Sequence, residues 1–115
     1  MFLLVLVLNR RECLNKILEK YLEIGIKGAT ILDSKGMGRA FMEGDSPVVG
    51  GLRNLIYNQS RPGNNTVFSV VESKEKIDEA IREIESVIGS LGEPGTGIVF
   101  TLPLERVKGL TGPYS

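Results

Sequence analysis

Seven apolar residues follow one another from Phe2 to Leu8. The run is far too short to cross a bilayer and suits a buried strand. A signal peptide would carry basic residues ahead of such a run, whereas Arg10 and Arg11 come after it, so a strand is expected rather than a leader. The spacing then changes. Leu14, Ile17, Leu18, Tyr21 and Leu22 recur at helical intervals as one stripe. Asn9 followed three residues on by Glu12 matches a capping box at the start of that helix, and Gly25 supplies the stop. Ala29 to Asp33 reads as a second strand and Thr66 to Val71 as a third. Ser73 caps a second helix, with Ile77, Ala80, Ile81, Ile84, Val87, Ile88 and Leu91 on one face and Gly89 and Gly92 at its end. Ile98 to Leu102 reads as a fourth strand.

The order is strand, helix, strand, long loop, strand, helix, strand, and its two halves repeat one another. Two such units predict an α+β, ferredoxin-like βαββαβ fold, a four-stranded antiparallel sheet with two helices on one face. The chain reads as a single domain, residues 1–115, with a large flexible loop at 36–65 and a glycine-rich turn at 89–97. A sheet covered on one face only should alternate apolar and polar positions. These strands do not: Phe2 to Leu8 is apolar throughout. Val67, Phe68, Val70 and Val71 place apolar groups on both faces, as do Ile98, Val99, Phe100 and Leu102. Two helices cannot cover both faces. Burial of the second is favourable at about 25 cal/mol per Å², so an obligate homo-oligomer packed through the other sheet face is expected. The alternative is a monomer whose long loop folds under the sheet.

Composition narrows the chemistry. The chain of 115 residues has 14 basic and 14 acidic side chains, so no net field draws it to nucleic acid or an anionic membrane. It has no His and one Cys, Cys13. It therefore cannot supply a Ser-His-Asp triad, a Cys-His pair, a His metal site or an intrachain disulfide, and no nucleophile–base pair is visible. No enzyme is expected. The single Cys suits a reducing, cytoplasmic setting. Cys13 lies near the helix start, where a thiolate could be stabilised, but reads as a buried apolar Cys, and Glu72, Glu75, Asp78, Glu79 and Glu83 as a solvated helix face.

The 14 glycines concentrate in two places. Lys35-Gly36-Met37-Gly38-Arg39 opens the long loop, pairing two permissive backbone positions with two cations. Successive N–H groups there could form an anion nest; the competing reading is a strand bending out of the sheet. Within the same loop, residues 48–57 could hold a short helix. The second place is Gly89-Ser90-Leu91-Gly92-Glu93-Pro94-Gly95-Thr96-Gly97, ahead of the last strand. It could cradle a phosphate, though it lacks the Lys and Ser/Thr of a Walker loop and opens a strand rather than a helix. A helix stop followed by a tight turn explains it equally well. Lys35 to Phe41 superficially matches an RNA-recognition signature, but it follows the wrong strand, and Met37 and Arg39 stand where stacking rings are needed.

With both clusters placed, Gly25-Ile26-Lys27-Gly28-Ala29-Thr30, continuing through Asp33-Ser34-Lys35-Gly36-Met37-Gly38-Arg39, closely resembles the start of the large loop, or T-loop, of PII signalling proteins (nitrogen regulatory proteins). Gly95-Thr96-Gly97-Ile98-Val99-Phe100 resembles their second, nucleotide-binding loop and last strand. The resemblance implies a homotrimer and a signal-transduction role without catalysis. The expected cofactor is an adenine nucleotide (AMP, ADP, ATP or a cyclic dinucleotide) held in clefts between subunits. The expected partners are a small-molecule effector and a target transporter or enzyme regulated through the large loop. Carried over by position, Thr30 and Val70 would border the adenine, Gly36, Met37, Gly38 and Arg39 would form one wall, and Gly95, Thr96 and Gly97 would present N–H groups to the phosphates.

The departures alter that expectation. The family's Gly-Asp-Gly-Lys becomes Gly95-Thr96-Gly97-Ile98, so its phosphate-binding Lys is missing. The arginines of its C-terminal stretch fall on Gly109 and Thr111, leaving Arg106 and Lys108 as substitutes. The Gln after the loop's Gly-Arg is Ala40, which disfavours metal-assisted 2-oxoglutarate binding. Lost charge-assisted hydrogen bonds favour a mono- or diphosphate, a cyclic nucleotide, another small ligand or no ligand over a triphosphate. Two further readings share the fold: a ligand-independent interaction module acting through the loop, and a metal-handling trimer, which lack of His disfavours.

Overall fold

A computed structural model describes residues 1–43 and 63–110. Strand β1 spans Phe2–Leu8 and leads through a 3-10 turn, Arg11–Cys13, into helix α1, Leu14–Glu23. Strand β2 is Thr30–Ser34, and a short helix α2, Met37–Glu43, leaves it. Strand β3, Asn64–Val71, helix α3, Lys74–Ile88, and strand β4, Gly97–Pro103, complete the described chain. The sheet order is β2-β3-β1-β4, and every neighbouring pair is antiparallel. This is the ferredoxin-like arrangement that the repeated pattern requires.

The core lies between the sheet and the two helices. Leu4, Leu6 and Leu8 of β1 and Val67 and Val71 of β3 meet Ile17 and Tyr21 of α1 and Ile77, Ala80, Ile84 and Ile88 of α3, all buried. The stripe read from the sequence thus faces the sheet, except that Leu22 is exposed. Helix α3 starts as expected: the Ser73 hydroxyl accepts from the Lys76 N–H at 3.2 Å. The Lys76 ammonium also donates to the Ile24 carbonyl, so the first turn of α3 neutralises the carbonyl end of α1. Gly25 closes α1 at φ +94 and Gly89 closes α3 at φ +87.

Two expectations need correction. Asn9 and Glu12 do not form a capping box: α1 begins at Leu14, after the 3-10 turn, without a side-chain cap. The Asn9 side chain instead donates to the Gly95 carbonyl at 3.2 Å, because β1 delivers it beside the turn entering β4. The loop also does not begin at residue 36: Met37–Glu43 is helical, with the Ala40 N–H bonded to the Gly36 carbonyl. The N–H groups of residues 37–39 thus belong to the first turn of a helix rather than to an open loop. The helix suggested at 48–57 lies outside the described residues.

The opposite face of the sheet is not covered by either helix. Register places Leu3, Val5 and Val7 of β1 on it, with Phe68 and Val70 of β3 and Ile98, Phe100 and Leu102 of β4. Ile98, Phe100 and Leu102 are each about half exposed, at 55, 45 and 46%. Leu32 of β2 joins them at 51%. The double-sided apolar pattern is therefore real in three dimensions. Among the described residues no helix is long and apolar enough to cross a membrane.

Candidate functional site

The candidate residues sort by strand register. One row runs straight across the sheet: Asp33 of β2 faces Asn65 of β3, Asn65 faces Leu8 of β1, and Leu8 faces Gly97 of β4. The row puts both ends of the large loop and the turn 95–97 at one end of the sheet. Gly36, Met37, Gly38 and Arg39 follow β2 there, with Gly36 and Met37 exposed and Gly38 and Arg39 half-buried. Gly95, Thr96 and Gly97 lie at the far side of the same end, Thr96 buried. Three strand spacings, about 14 Å, separate β2 from β4.

The gap is bridged by the link between β1 and α1. Asn9 holds the Gly95 carbonyl, and two residues later the Arg11 guanidinium reaches Asp33, Nη2 to Oδ1 at 2.6 Å. Asn65 Nδ2 donates to the same carboxylate oxygen at 3.0 Å. Beside them Ser34 bonds both Asn64 and, at 2.7 Å, the Thr66 hydroxyl. Gly97 is indispensable here. A Cβ on it would stand 2.5 Å from the Val7 carbonyl oxygen, and its φ is +147. The loop's return point, Gly63, is buried and crowded by Arg11 and Arg39.

Thr30 and Val70 lie elsewhere. Thr30 faces Phe68, three rows along β1 from Leu8, and Val70 faces Leu3, five rows along. At about 3.3 Å per residue the second separation is roughly 17 Å. Val70 lines a cavity of about 300 Å³ with Lys27, Gly28, Glu72, Lys76 and Leu110. Arg106 and Lys108 are exposed in the segment that leads from β4 to Leu110. One chain thus holds the candidate residues in separate places, the loop-and-turn end and a hollow beside Gly28, Val70 and Leu110, and does not bring them together.

Sequence reasoning missed Arg11 and Asp33 as a pair. The signal was the dibasic Arg10-Arg11 directly after the strand, used only to exclude a leader. A second cavity, about 220 Å³, lies between α1 and β2 against Leu18, Tyr21, Ile26, Ala29 and Ile31. Tyr21 is buried, and desolvation pushes its phenol well above the ordinary 10.0.

These features define a class: a ferredoxin-like α+β domain with a long insertion between its second and third strands and a glycine turn ahead of its fourth. The model of one family of that architecture, described as Nitrogen regulatory protein P-II, matches residues 2–112, and the chain belongs to that family. No curated protein matches it closely enough to count as a relative.

Proposed function

We propose that this chain is a PII-type signal-transduction protein that binds a small effector in clefts between copies of itself and passes the signal through its large loop. The observation that carries the proposal is the division of the candidate residues between two distant parts of one sheet. The loop-and-turn end (Gly36, Met37, Gly38, Arg39, Gly95, Thr96, Gly97) and the hollow at Val70, with Thr30 two rows away along the sheet and Arg106 and Lys108 in the segment leading to Leu110, can share a ligand only if different copies supply them. The apolar face that the described helices leave uncovered gives those copies a reason to assemble, and family membership makes a homotrimer the assembly of choice. The effector is an adenine nucleotide with few phosphates, and its binding selects one arrangement of the loop. A regulatory rather than enzymatic role, a cytoplasmic setting with recruitment to a membrane transporter or an enzyme, and indifference to nucleic acid complete the reading.

Light scattering on the eluting protein tests the assembly, and a thermal-shift panel of AMP, ADP, ATP, cyclic dinucleotides and 2-oxoglutarate tests the ligand. A trimer stabilised by one or more adenine nucleotides is expected. A stable monomer, or a trimer whose melting no nucleotide moves, would refute the proposal.

A further inference from the structure

We infer that Arg11 is a phosphate-binding residue of this chain, acting with Arg39 at the base of the large loop and released to a ligand by exchange from Asp33. The inference rests on the proposed function only for what carries the phosphate; the anion site itself stands on the geometry. An ideal Cβ on Gly63 would lie 2.8 Å from Arg39 Nη1 and 3.3 Å from Arg11 Nη1. Two nitrogens at those distances from one point are no more than about 6 Å apart. One phosphate, accepting from each at about 2.8 Å, spans such a gap. Arg39 arrives from α2, after β2, and Arg11 from the turn after β1, so nothing in local sequence forces the two cations together. Their convergence depends on the absence of a side chain at Gly63.

Both arginines are already engaged. Arg11 holds Asp33, whose same oxygen also accepts from Asn65, and Arg39 has polar contacts of its own. Recognition is therefore an exchange of one anion for another. The Arg11–Asp33 pair favours such an exchange because it is wet: the side chains are 49 and 79% exposed, and a pair of that kind holds weakly. A phosphate with two or more charges and several acceptor oxygens competes well with one carboxylate. Arg11 also lies two residues from Asn9, which grips the Gly95 carbonyl, so an anion drawing Arg11 away from Asp33 acts on the turn and on the loop base together.

Calorimetric titration of the intact protein with pyrophosphate, ADP, AMP and adenosine, at low and high salt, tests this. Arg11→Gln should weaken pyrophosphate and ADP at least about 10-fold, the loss of a charge-assisted bond, and leave adenosine unchanged. Asp33→Asn, which frees the guanidinium, should tighten both phosphate ligands several-fold. Gly63→Ala displaces only the flexible tips of two side chains, so its melting temperature should hold while phosphate affinity falls. Unchanged pyrophosphate affinity in both Arg11→Gln and Gly63→Ala would overturn the inference, as would a wild-type protein and an Asp33→Asn variant that both ignore pyrophosphate. Pyrophosphate binding that needs Arg11, without any preference for adenine compounds, would uphold the inference and count against the nucleotide reading alone.

Discussion

Replacing Gly97 by Ala is the sharpest test of how the glycine turn is built. Gly97 opens β4 at φ +147, a conformation that L residues rarely adopt. Its missing Cβ would stand 2.5 Å from the Val7 carbonyl oxygen and 3.6 Å from the Val7 carbonyl carbon. Those atoms are backbone in the central strand, so no rotamer change relieves the overlap. Either β4 retreats from β1 at the row of Leu8, or the strain stays. The unfavourable φ costs about 1–3 kcal/mol and the overlap about 1–3 more, so a loss of roughly 3–4 kcal/mol is expected, a large share of a small domain's stability. Gly95→Ala is the matched control. It has φ +79 but nothing within 4 Å of the new Cβ, so only the conformational cost of about 1–2 kcal/mol applies. Urea unfolding of both variants, followed by circular dichroism at one protein concentration, measures the difference. Equal losses would show that the close approach of β4 to β1 does not require glycine, and would refute the reasoning.

Three further outcomes are expected. Tyr21 and Ser69 each bury a hydroxyl with no hydrogen-bond partner among the described residues; Tyr21→Phe and Ser69→Ala should leave stability unchanged or raise it by about 1 kcal/mol, and a loss of that size in urea would show that the hydroxyls are bonded. Burial raises the Tyr21 phenol, so the unfolded chain ionises first. Stability should be untouched below the ordinary 10.0 and fall as pH climbs above it, a decline that is shallower in Tyr21→Phe on alkaline titration of the melting temperature. Ser73→Ala removes the acceptor for the Lys76 N–H and should cost about 1 kcal/mol by chemical denaturation, without altering the unfolding slope.

Most of the fold could be read because its signals are local. The Phe2–Leu8 run, the two helical stripes, the Ser73 cap and Gly89 each declare an element within a few residues, and all four strands lie within two residues of their expected ends. The capping box failed because Asn9 is oriented by a distant partner: its side-chain amide donates far away instead of its oxygen accepting a local N–H. The distant one, the carbonyl of Gly95, 86 residues on, is visible only once β1 and β4 are paired. Helix α2 was hidden because Gly36 and Gly38 read as loop formers, whereas Ala40, Phe41 and Met42 carry the helical preference beyond them. The site was half legible. The glycine clusters announced themselves by composition, but the meeting of Arg11, Arg39 and Gly63 joins three separate segments, and no spacing rule reaches across them.

The face that the described helices leave uncovered changes character along its length, and that change bears on how the large loop and the proposed oligomer would share one sheet. At the Leu3, Val70 and Leu102 end, and in the next row of the face where Val5 sits between Phe68 and Phe100, the face is apolar. Val5 is only 3% exposed even in the single chain, walled by its two aromatic neighbours. Toward the loop the same face becomes mixed: Thr66 sits in a row with Leu32, Val7 and Ile98, and beyond it come Asn64 and Ser34, with the Thr66, Asn64 and Ser34 side chains already bonding one another. Burying the apolar end against other copies removes about half-exposed Phe100 and Leu102 from water at small polar cost. Burying the polar end would gain little, because its groups are satisfied where they stand. Association through this face therefore has a preferred centre, and in the proposed assembly the loop base and the turn 95–97 fall toward the rim. Phe100→Glu, placed at that centre, should dissociate the assembly on light scattering, whereas Thr66→Glu, nearer the rim, should be better tolerated; equal effects would mean that the gradient does not set the interface.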